Sequence, residues 1–378
     1  MGITFHGSDA HTLGVELEMG IVDDISDALE CAAPDVLAEA GARHPGGEHP
    51  KIHHELFQST LELVTGICAT PTAAHADLAA TVAELDPILR RRHLALIGTG
   101  VHPFSDWNDL RLTDDDRYAR LVERIAWPAR RMMIHGVHFH VAVPSGDHAV
   151  AVTNALTGLL PHFVALSASS PYWFGDDTGL ASMRTKVFES MPSASLPPAL
   201  ADWADFEALA AVLVRAGTIE TVKELWWDIR PSPGWGTVEL RMCDGMATLT
   251  ELCALAALAQ AAVAHLCRAF DAGRLPAREP DWVLQENKWR AARYGIDAQL
   301  VHGDGRVTSL ADEVHEWVAL LRPEAVALGA ADDLDRVLGI LDHGPSYARQ
   351  RAVITAGGTL RDVVELLRRE FANDRVGG

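Results

Sequence analysis

The sequence predicts an α+β fold in which a β-sheet has one apolar face and one face of ionisable side chains. Three segments alternate apolar and ionisable residues with the two-residue period of a β-strand. Capping signals mark helices elsewhere along the chain. No long linker, repeat or low-complexity run divides its 378 residues, so we expect residues 1–378 to form a single domain.

The first predicted strand runs from Thr12 to Val22. Apolar residues occupy every second position, and Glu16 and Glu18 share the opposite face. Their Cα atoms should lie roughly 6.5–7 Å apart along a strand, so both carboxylates can reach ions in one cluster. A solvated strand face is the alternative, because most surface acids are simply hydrated.

Two later strands repeat this pattern. In Val137–Val143 the apolar residues alternate with His138 and His140, and in Thr237–Cys243 they alternate with Glu239 and Arg241. Carboxylates that are packed together raise one another's pKa unless a cation neutralises them. If these strands are neighbours, the pattern favours a metal site on the polar face.

The segment from His53 to Val64 contains two further acids, Glu55 and Glu62, seven residues apart. A regular strand would place them on opposite faces, so a shared site requires a bulge or a helical turn near Gln58. On a helix the same spacing would align them. Periodicity leaves these arrangements open, and Glu62 is alternatively a simple exposed acid.

The chemistry of these residues favours one class of metal. Carboxylates dominate, with one or two histidines and no clustered cysteine, which favours Mg²⁺ or Mn²⁺ over Zn²⁺. The pair His138 and His140 leaves a zinc hydrolase open, although the sequence has no HExxH motif. It also has no Walker A, protein-kinase or dinucleotide-binding signature, so a bound nucleotide would depend on metal ions and arginines.

Capping residues and an apolar run locate the other elements. Thr70 and Pro71 predict the start of a helix that runs towards His93, and a strand follows at Leu94–Ile97. Thr248 and Glu251 form a capping box for a long alanine-rich helix, as Thr359 and Asp362 do for the last helix. Because polar residues interrupt the apolar run Leu249–Phe270, we expect a buried helix and not a membrane span.

The net charge excludes some partners. The chain has 32 Lys and Arg against 52 Asp and Glu, a formal charge of −20 at pH 7. Such a chain repels phosphate backbones and anionic lipids, so we expect neither a nucleic acid nor a membrane as partner. The five cysteines form no CxxC pair and are odd in number, which is typical of reduced thiols in the cytoplasm.

Grouped cations are conspicuous in so acidic a chain. Arginine's planar fork matches carboxylate and phosphoryl oxygens, so these groups suit an anionic substrate or a polyphosphate. The alternative for each group is a surface salt bridge of little energetic consequence. The candidates are Arg184, Arg230, Arg241, the helical set Asn287, Arg290 and Arg293, and the pair Arg349 and Arg351.

Seven motifs in order complete the pattern: TLGVELEM, HHELFQSTLELVTG, GVHFHVAV, SMRTKVFESMP, WWDIRPSPGWGTVELRMCD, NKWRAARYG and ARQR. Together they resemble the carboxylate-amine ligases of the glutamate-cysteine ligase type 2 family over nearly the whole chain. The resemblance implies a curved, mostly antiparallel sheet that forms a funnel with helices on its outer face, as in glutamine synthetase. It also implies a single ligase domain and a homodimer.

The resemblance further implies a reaction. An ATP-dependent ligase would join an acid, such as glutamate through its side-chain carboxylate, to cysteine or another amine. The reaction would pass through an acyl phosphate and release ADP and phosphate, with Mg²⁺ or alternatively Mn²⁺ as the metal. The other candidates are a guanidino-kinase-like phosphotransferase and a metabolite-binding homologue without ligase activity.

The roles that the resemblance assigns to single residues are as follows. Glu16, Glu18, Glu55, Glu62, His138 and Glu239 would bind metal. Arg241 would contact the phosphoryl group beside Glu239, and Arg184 and Arg230 would hold the acid or phosphate. Asn287, Arg290, Arg349 and Arg351 would bind the nucleotide or lock the rim of the funnel. His140 would either orient a metal ligand or be structural.

Overall fold

The computed structural model describes residues 2–377, and its main element is a seven-stranded antiparallel sheet. The strands are β1 (Leu13–Asp23), β2 (Ile52–His54), β3 (Thr60–Val64), β4 (Leu94–Ile97), β5 (Gly136–Ala142), β6 (Tyr172–Trp173), β7 (Asp176–Asp177), β8 (Ile229–Ser232), β9 (Thr237–Asp244), β10 (Gln299–Val301) and β11 (Val307–Ser309). The sheet has the order β2-β3-β1-β5-β9-β8, and β4 pairs with the C-terminal end of β1, at residues 20–23. Two small hairpins, β6-β7 and β10-β11, lie outside it.

Helices fill most of the remaining chain. They are α1 (Ala33–Gly41), α2 (Pro71–Arg91), α3 (Asp116–Ile125), α4 (Trp127–Arg130), α5 (Gly146–Leu156), α6 (Leu160–Ser167), α7 (Met183–Phe188), α8 (Trp203–Arg215), α9 (Leu249–Asp271), α10 (Asp281–Tyr294), α11 (Leu310–Ala327), α12 (Ala331–His343), α13 (Ser346–Thr355) and α14 (Leu360–Asn373). The predicted α+β class with an antiparallel sheet is therefore confirmed.

Strand β1 shows why the sheet has two different faces. Its apolar residues Leu13, Val15, Leu17, Met19 and Ile21 are all buried, whereas the positions between Leu13 and Met19 are half-buried. Because successive side chains of a strand point to opposite faces, the apolar set lies on the core and the glutamates lie on the other face. This confirms the predicted strand.

Helix α9 is the centre of the core beneath the sheet. By length and composition it could cross a membrane, but 78% of its apolar window is buried inside the protein. It packs against β1 and β5 and against the helices α2, α5, α11 and α12. Helices α5 and α6 pass the same test only as a pair, and they meet at 67°. The prediction of a buried core helix at α9 is confirmed.

The predicted helix starts are also confirmed. Thr70 and Thr248 each accept a backbone N–H from the third residue of the helix that they cap. Thr359 and Asp362 form a reciprocal capping box at the start of α14. These caps satisfy backbone groups that would otherwise lack partners at the helix ends.

Candidate active site

The polar face of the sheet places most of its acids apart from its arginines. Glu16, Glu18, Glu55 and Glu62 lie on or beside β1, β2 and β3, and two histidines lie on β5. Arg230 and Arg241 lie on β8 and β9, together with Glu239. The strand register places Glu18 opposite Glu62, Glu16 opposite His138, and Glu239 opposite both His140 and Arg230. The sequence patterns of three distant segments therefore converge on one surface.

Glu55 and Glu62 reach this surface through a hairpin. Strand β2 ends at His54, the chain turns over residues 55–59, and β3 returns antiparallel with His53 opposite Glu62. The charge of Glu55 raises the pKa of Glu62, so both acids face the same region. Neither a single bulged strand nor a helix is needed, because the two acids lie on opposite sides of a turn.

The residues Glu18, Glu55 and Glu62 form an acid group with excess negative charge. Burial and the charge of Glu55 raise the pKa of Glu18 to about 8 and that of Glu62 to about 9, and burial raises the pKa of Glu55. Among residues 2–377, no lysine or arginine forms an ion pair with any of the three within 4.0 Å. Without an added cation Glu18 and Glu62 keep their protons at neutral pH.

Glu16 lies between the two histidines. Its Oε2 is 2.8 Å from His138 Nδ1, and its Oε1 is 3.3 Å from His140 Nε2. Burial alone would raise the pKa of Glu16, but the hydrogen bonds with both rings hold it well below its usual range. Burial and the nearby Arg241 lower the pKa of His138 to about 4, so this ring is neutral at pH 7 and available as a metal ligand.

His140 orients the acids around it. Although burial opposes its charge, the carboxylates of Glu239 and Glu16 raise its pKa. The other ring nitrogen, Nδ1, lies 2.9 Å from the hydroxyl of Thr237. His140 Nε2 lies 3.3 Å from Glu16 Oε1 and 3.8 Å from Glu239 Oε1, so the ring lies between the two acids, which favours the orienting role that the sequence left open.

Arg230 and Arg241 flank Glu239, whose side chain is only 1% exposed, and together with Arg184 they form the arginine group. Arg230 Nε lies 2.6 Å from Glu239 Oε2, and Arg241 Nη1 bonds to Glu239 Oε1. Burial would raise the pKa of Glu239, but the two guanidiniums lower it far below its usual range. Glu239 is thus ionised, and its hydrogen bonds fix the orientation of the two arginine side chains.

Arg184 joins the arginine group from helix α7. The residue is 2% exposed, its Nη2 donates to the carbonyl of Arg241 at 3.3 Å, and its Nε has no hydrogen-bond partner among the described residues. The guanidinium lies against Gly136, where a Cβ atom would come within 2.7 Å of its Cζ. The N–H of Gly136 donates to Glu18 Oε2 at 2.5 Å. Arg184 therefore lies where the acid and arginine groups meet.

The donor set fits a hard divalent cation. Glu16, His138 and Glu239 each offer a ligand atom within 4.8 Å of the others, and the acid group adds carboxylate oxygens. Oxygen-rich sites with a single imidazole suit Mg²⁺ or Mn²⁺. A bound cation would also let Glu18 and Glu62 release the protons that burial and mutual repulsion retain.

A second cluster, His44, His49 and Glu84, has a similar spacing. However, the backbone N–H of Lys51 donates to His49 Nδ1 at 3.1 Å, so the neutral ring carries its proton on Nε2. That Nε2 lies 3.4 Å from Glu84 Oε2. We therefore interpret this cluster as a hydrogen-bonded group and not as a metal centre.

The four predicted nucleotide-binding residues have other partners. The Asn287 amide bonds twice to the backbone of Val301, and Arg290 bonds to Glu286 and to the carbonyl of Gln299. Arg349 pairs with Glu251 and Glu370, and Arg351 pairs with Asp177. In the described part of the chain none of the four contacts the acid or arginine group. Their role in nucleotide binding stays a prediction.

Sequence reasoning overlooked two residues near the arginine group. Gly136 gives Arg184 the room to lie against the strand, and Lys288 is a buried cation on α10. A signal for Lys288 does exist. It shares a helix face with Leu284 and Ala291, which are both buried, and a charge on such a face indicates a buried ion pair.

Known proteins similar to this chain include curated relatives and solved structures. A family model described as "Glutamate-cysteine ligase family 2(GCS2)" matches residues 12–366. A relative from Frankia alni, "Putative glutamate--cysteine ligase 2-1", is 50% identical over 378 residues, which is 99% of each chain. A similarly named relative from Thermobifida fusca is 47% identical over 373 residues, or 98% of this chain and 93% of the relative.

A solved structure with a similar fold is the glutamate–cysteine ligase of Francisella tularensis in complex with AMP. The TM-score is 0.70, and the match covers 96% of this chain and 89% of that chain. The sequences are only 15% identical, so this likeness concerns the fold.

Proposed function

The chain belongs to glutamate-cysteine ligase family 2, and we propose that it is an ATP-dependent carboxylate-amine ligase. The proposed acid is glutamate, reacting through its side-chain carboxylate, and the amine is cysteine or a similar compound. The observation that carries the proposal is the acid group beside the arginine group on one face of the sheet. The names of the relatives support the substrates, and AMP in the Francisella tularensis structure supports a nucleotide.

The proposed reaction has two steps, because a carboxylate is a poor acyl donor. In the first, a carboxylate oxygen attacks the γ-phosphorus of ATP, and the bond to ADP breaks. In the second, the amine attacks the carbon of the acyl phosphate, loses a proton, and expels inorganic phosphate. Both steps require positioned positive charge and no protein nucleophile.

Mg²⁺ would be held by Glu16, Glu18, Glu55, Glu62 and His138, with Glu239 at the border of the site. When bound, the metal would supply positive charge next to the phosphate oxygens of ATP. The raised pKa values of Glu18 and Glu62 support this assignment, since these carboxyls gain a partner for their charge only when a cation binds. His138 would contribute its neutral ring.

The arginine group would bind the negative charge that moves during the reaction. Arg241 Nη1 lies 3.5 Å from His138 Nδ1, so its guanidinium borders the proposed metal position and can contact the transferred phosphoryl group. Arg230 is held by Glu239 and Arg184 lies at the border of the acid group, so these two can grip the acid substrate or the released phosphate. Their placement in advance lowers the cost of reorganisation in the transition state.

The experiment that tests this proposal is a screen of acid and amine pairs with ATP and Mg²⁺, with the product identified by its mass. A ligase gives a product equal to acid plus amine minus water, and ADP appears only when both substrates are present. Arg241→Met should reduce kcat about 100-fold or more, as expected when a transition-state contact is lost. The matched control is Arg90→Met, because Arg90 lies on α2 in an exposed pair with Asp86.

Three results would contradict the proposal. A phosphorylated small molecule that accumulates as the final product would identify a phosphotransferase. Substrate binding without turnover for any pair, and with ADP never released, would identify a binding protein. Equal ADP release with and without an amine would indicate a kinase or an uncoupled ATPase.

A further inference from the structure

A buried lysine lies behind the arginine group. Lys288 on α10 is 3% exposed, and its Nζ lies 2.7 Å from Asp228 Oδ2 and 3.0 Å from Glu189 Oε1. Asp228 is 2% exposed. A lysine this deeply buried is rare unless it is paired, and here one ammonium group has two carboxylate partners.

Each carboxylate belongs to an element that positions an arginine. Asp228 directly precedes β8, two residues before Arg230, and its carbonyl accepts the N–H of Arg241 at 2.8 Å. Glu189 directly follows α7, the helix on which Arg184 lies. Lys288 therefore connects, from a third element, the two segments that determine where the three guanidiniums lie.

We propose that Lys288 is a positioning residue that fixes Arg184 relative to Arg230 and Arg241, so that the three guanidiniums grip the acid substrate together. The identity of that substrate rests on the function proposed above. Lysine suits the role because its compact ammonium has three donors, which can serve two carboxylates at once.

The ion pairs of Lys288 with Asp228 and Glu189 contribute through their charge as well as through packing. If Lys288 were replaced by a neutral residue, Asp228 and Glu189 would be left close together and without their shared partner, next to the arginine group. Breaking a buried ion pair on one side is much more damaging than replacing the whole pair. The two carboxylates also raise the pKa of Lys288 against the effect of burial, which agrees with a strongly paired ammonium.

The test compares Lys288→Met with Lys288→Arg, which keeps the charge, and with Glu189→Gln, which breaks the connection to α7 together with the pair between Glu189 and Lys186. The control is Arg368→Met. Arg368 lies on helix α14, where it pairs with Asp27, and it is outside the proposed site. For each protein we would measure kcat, the KM for acid, amine and ATP, and L-glutamate binding by calorimetry.

For Lys288→Met we expect a rise in the KM for the acid of about tenfold or more with kcat changed less than about threefold, since binding and not chemistry is impaired. Lys288→Arg should stay within about threefold of the wild type, and Glu189→Gln should raise the same KM by about threefold or more. L-Glutamate affinity should fall in parallel. Arg368→Met should lower Tm without changing the KM for the acid.

The inference is overturned if Lys288→Met raises the KM for all three substrates equally, or no more than Arg368→Met does. It is also overturned if the wild type and Lys288→Met bind L-glutamate equally, or if neither binds it. Glu189→Gln provides the same test if Lys288→Met does not fold. A wild type that binds L-glutamate but forms no product with any amine would refute the ligase and leave this inference intact.

Discussion

At the scale of single residues, the protons that Glu18 and Glu62 retain are the clearest sign that the site binds a cation. Glu18 and Glu62 have raised pKa values because burial and neighbouring carboxylates oppose their ionised forms. Glu16 and Glu239 have the opposite shift, since histidines or arginines accompany them. The site thus contains two ionised acids that histidines or arginines stabilise and two neutral acids that would ionise when a cation binds.

Replacing Glu62 tests this difference through pH. The folded protein retains the proton of Glu62 up to a pKa of about 9, whereas the unfolded chain releases it near the ordinary glutamate pKa of 4.5. This contribution to the free energy of unfolding is therefore full at low pH and is lost as the pH rises towards 9, by up to about 1.4 kcal/mol per pH unit. In metal-free buffer, stability should fall less steeply from pH 6 to 8 in Glu62→Gln than in the wild type.

Urea unfolding at pH 6, 7 and 8 measures this slope. The control is Glu316→Gln, which changes an exposed acid on α11. Added Mn²⁺ should stabilise the wild type more at pH 8 than at pH 6, because the metal displaces protons. Equal slopes for Glu62→Gln and the wild type would show that Glu62 does not retain its proton.

Gly136 is the second residue whose role can be isolated. A Cβ atom at this position would clash with the guanidinium of Arg184, the mobile end of a long side chain, so Arg184 should move while the strand stays intact. We expect Gly136→Ala to raise the KM for the acid about tenfold. Gly14→Ala on β1 is the control, since its nearest neighbour would lie at 3.8 Å, an ordinary contact. An unchanged KM in a folded Gly136→Ala protein would remove Arg184 from substrate binding.

At the scale of elements, local patterns predicted the strands and long-range pairs escaped prediction. The alternation in β1, β5 and β9 depends only on neighbouring residues, so the sequence was sufficient to predict each polar face. Glu55 and Glu62 were ambiguous because a spacing of seven residues does not reveal a turn between two strands. Glu251 is 98 residues from its partner Arg349, and Asp228 is 60 residues from its partner Lys288, so no local pattern indicates either pair.

The junction of α9, α13 and α14 shows the consequence for a predicted role. The Arg349 side chain is 10% exposed and bonds to Glu251 and Glu370 through four contacts of 2.8–3.1 Å. Arg349→Met would leave two buried carboxylates unpaired, so the free energy of unfolding should fall by about 3–5 kcal/mol. Arg90→Met, which breaks an exposed pair on α2, should cost no more than about 1 kcal/mol.

Urea unfolding at pH 7 measures both values. Steady-state kinetics on the folded fraction would then separate the two roles of Arg349. A selective rise in the KM for ATP with unchanged stability would favour the nucleotide role that the family resemblance implies. Loss of stability as the main effect would favour the structural role.

At the scale of the whole molecule, the net charge of −20 does not describe the charge that a substrate meets. Part of the acid surplus lies on the polar face, where a metal would neutralise it, and the arginine group lies beside it on the same face. An anionic nucleotide would therefore bind between a cation held by glutamates and three guanidiniums. The fold supplies this arrangement by bringing strands that are distant in sequence into one antiparallel sheet.

In the proposed reaction the acid is activated by phosphorylation before the amine attacks. The most direct test supplies the acid with ¹⁸O in its reacting carboxylate and follows the label by mass spectrometry of the released phosphate. We predict that each turnover transfers one ¹⁸O atom from the acid to inorganic phosphate, with none in ADP. Unlabelled phosphate released together with the amide product would contradict the account.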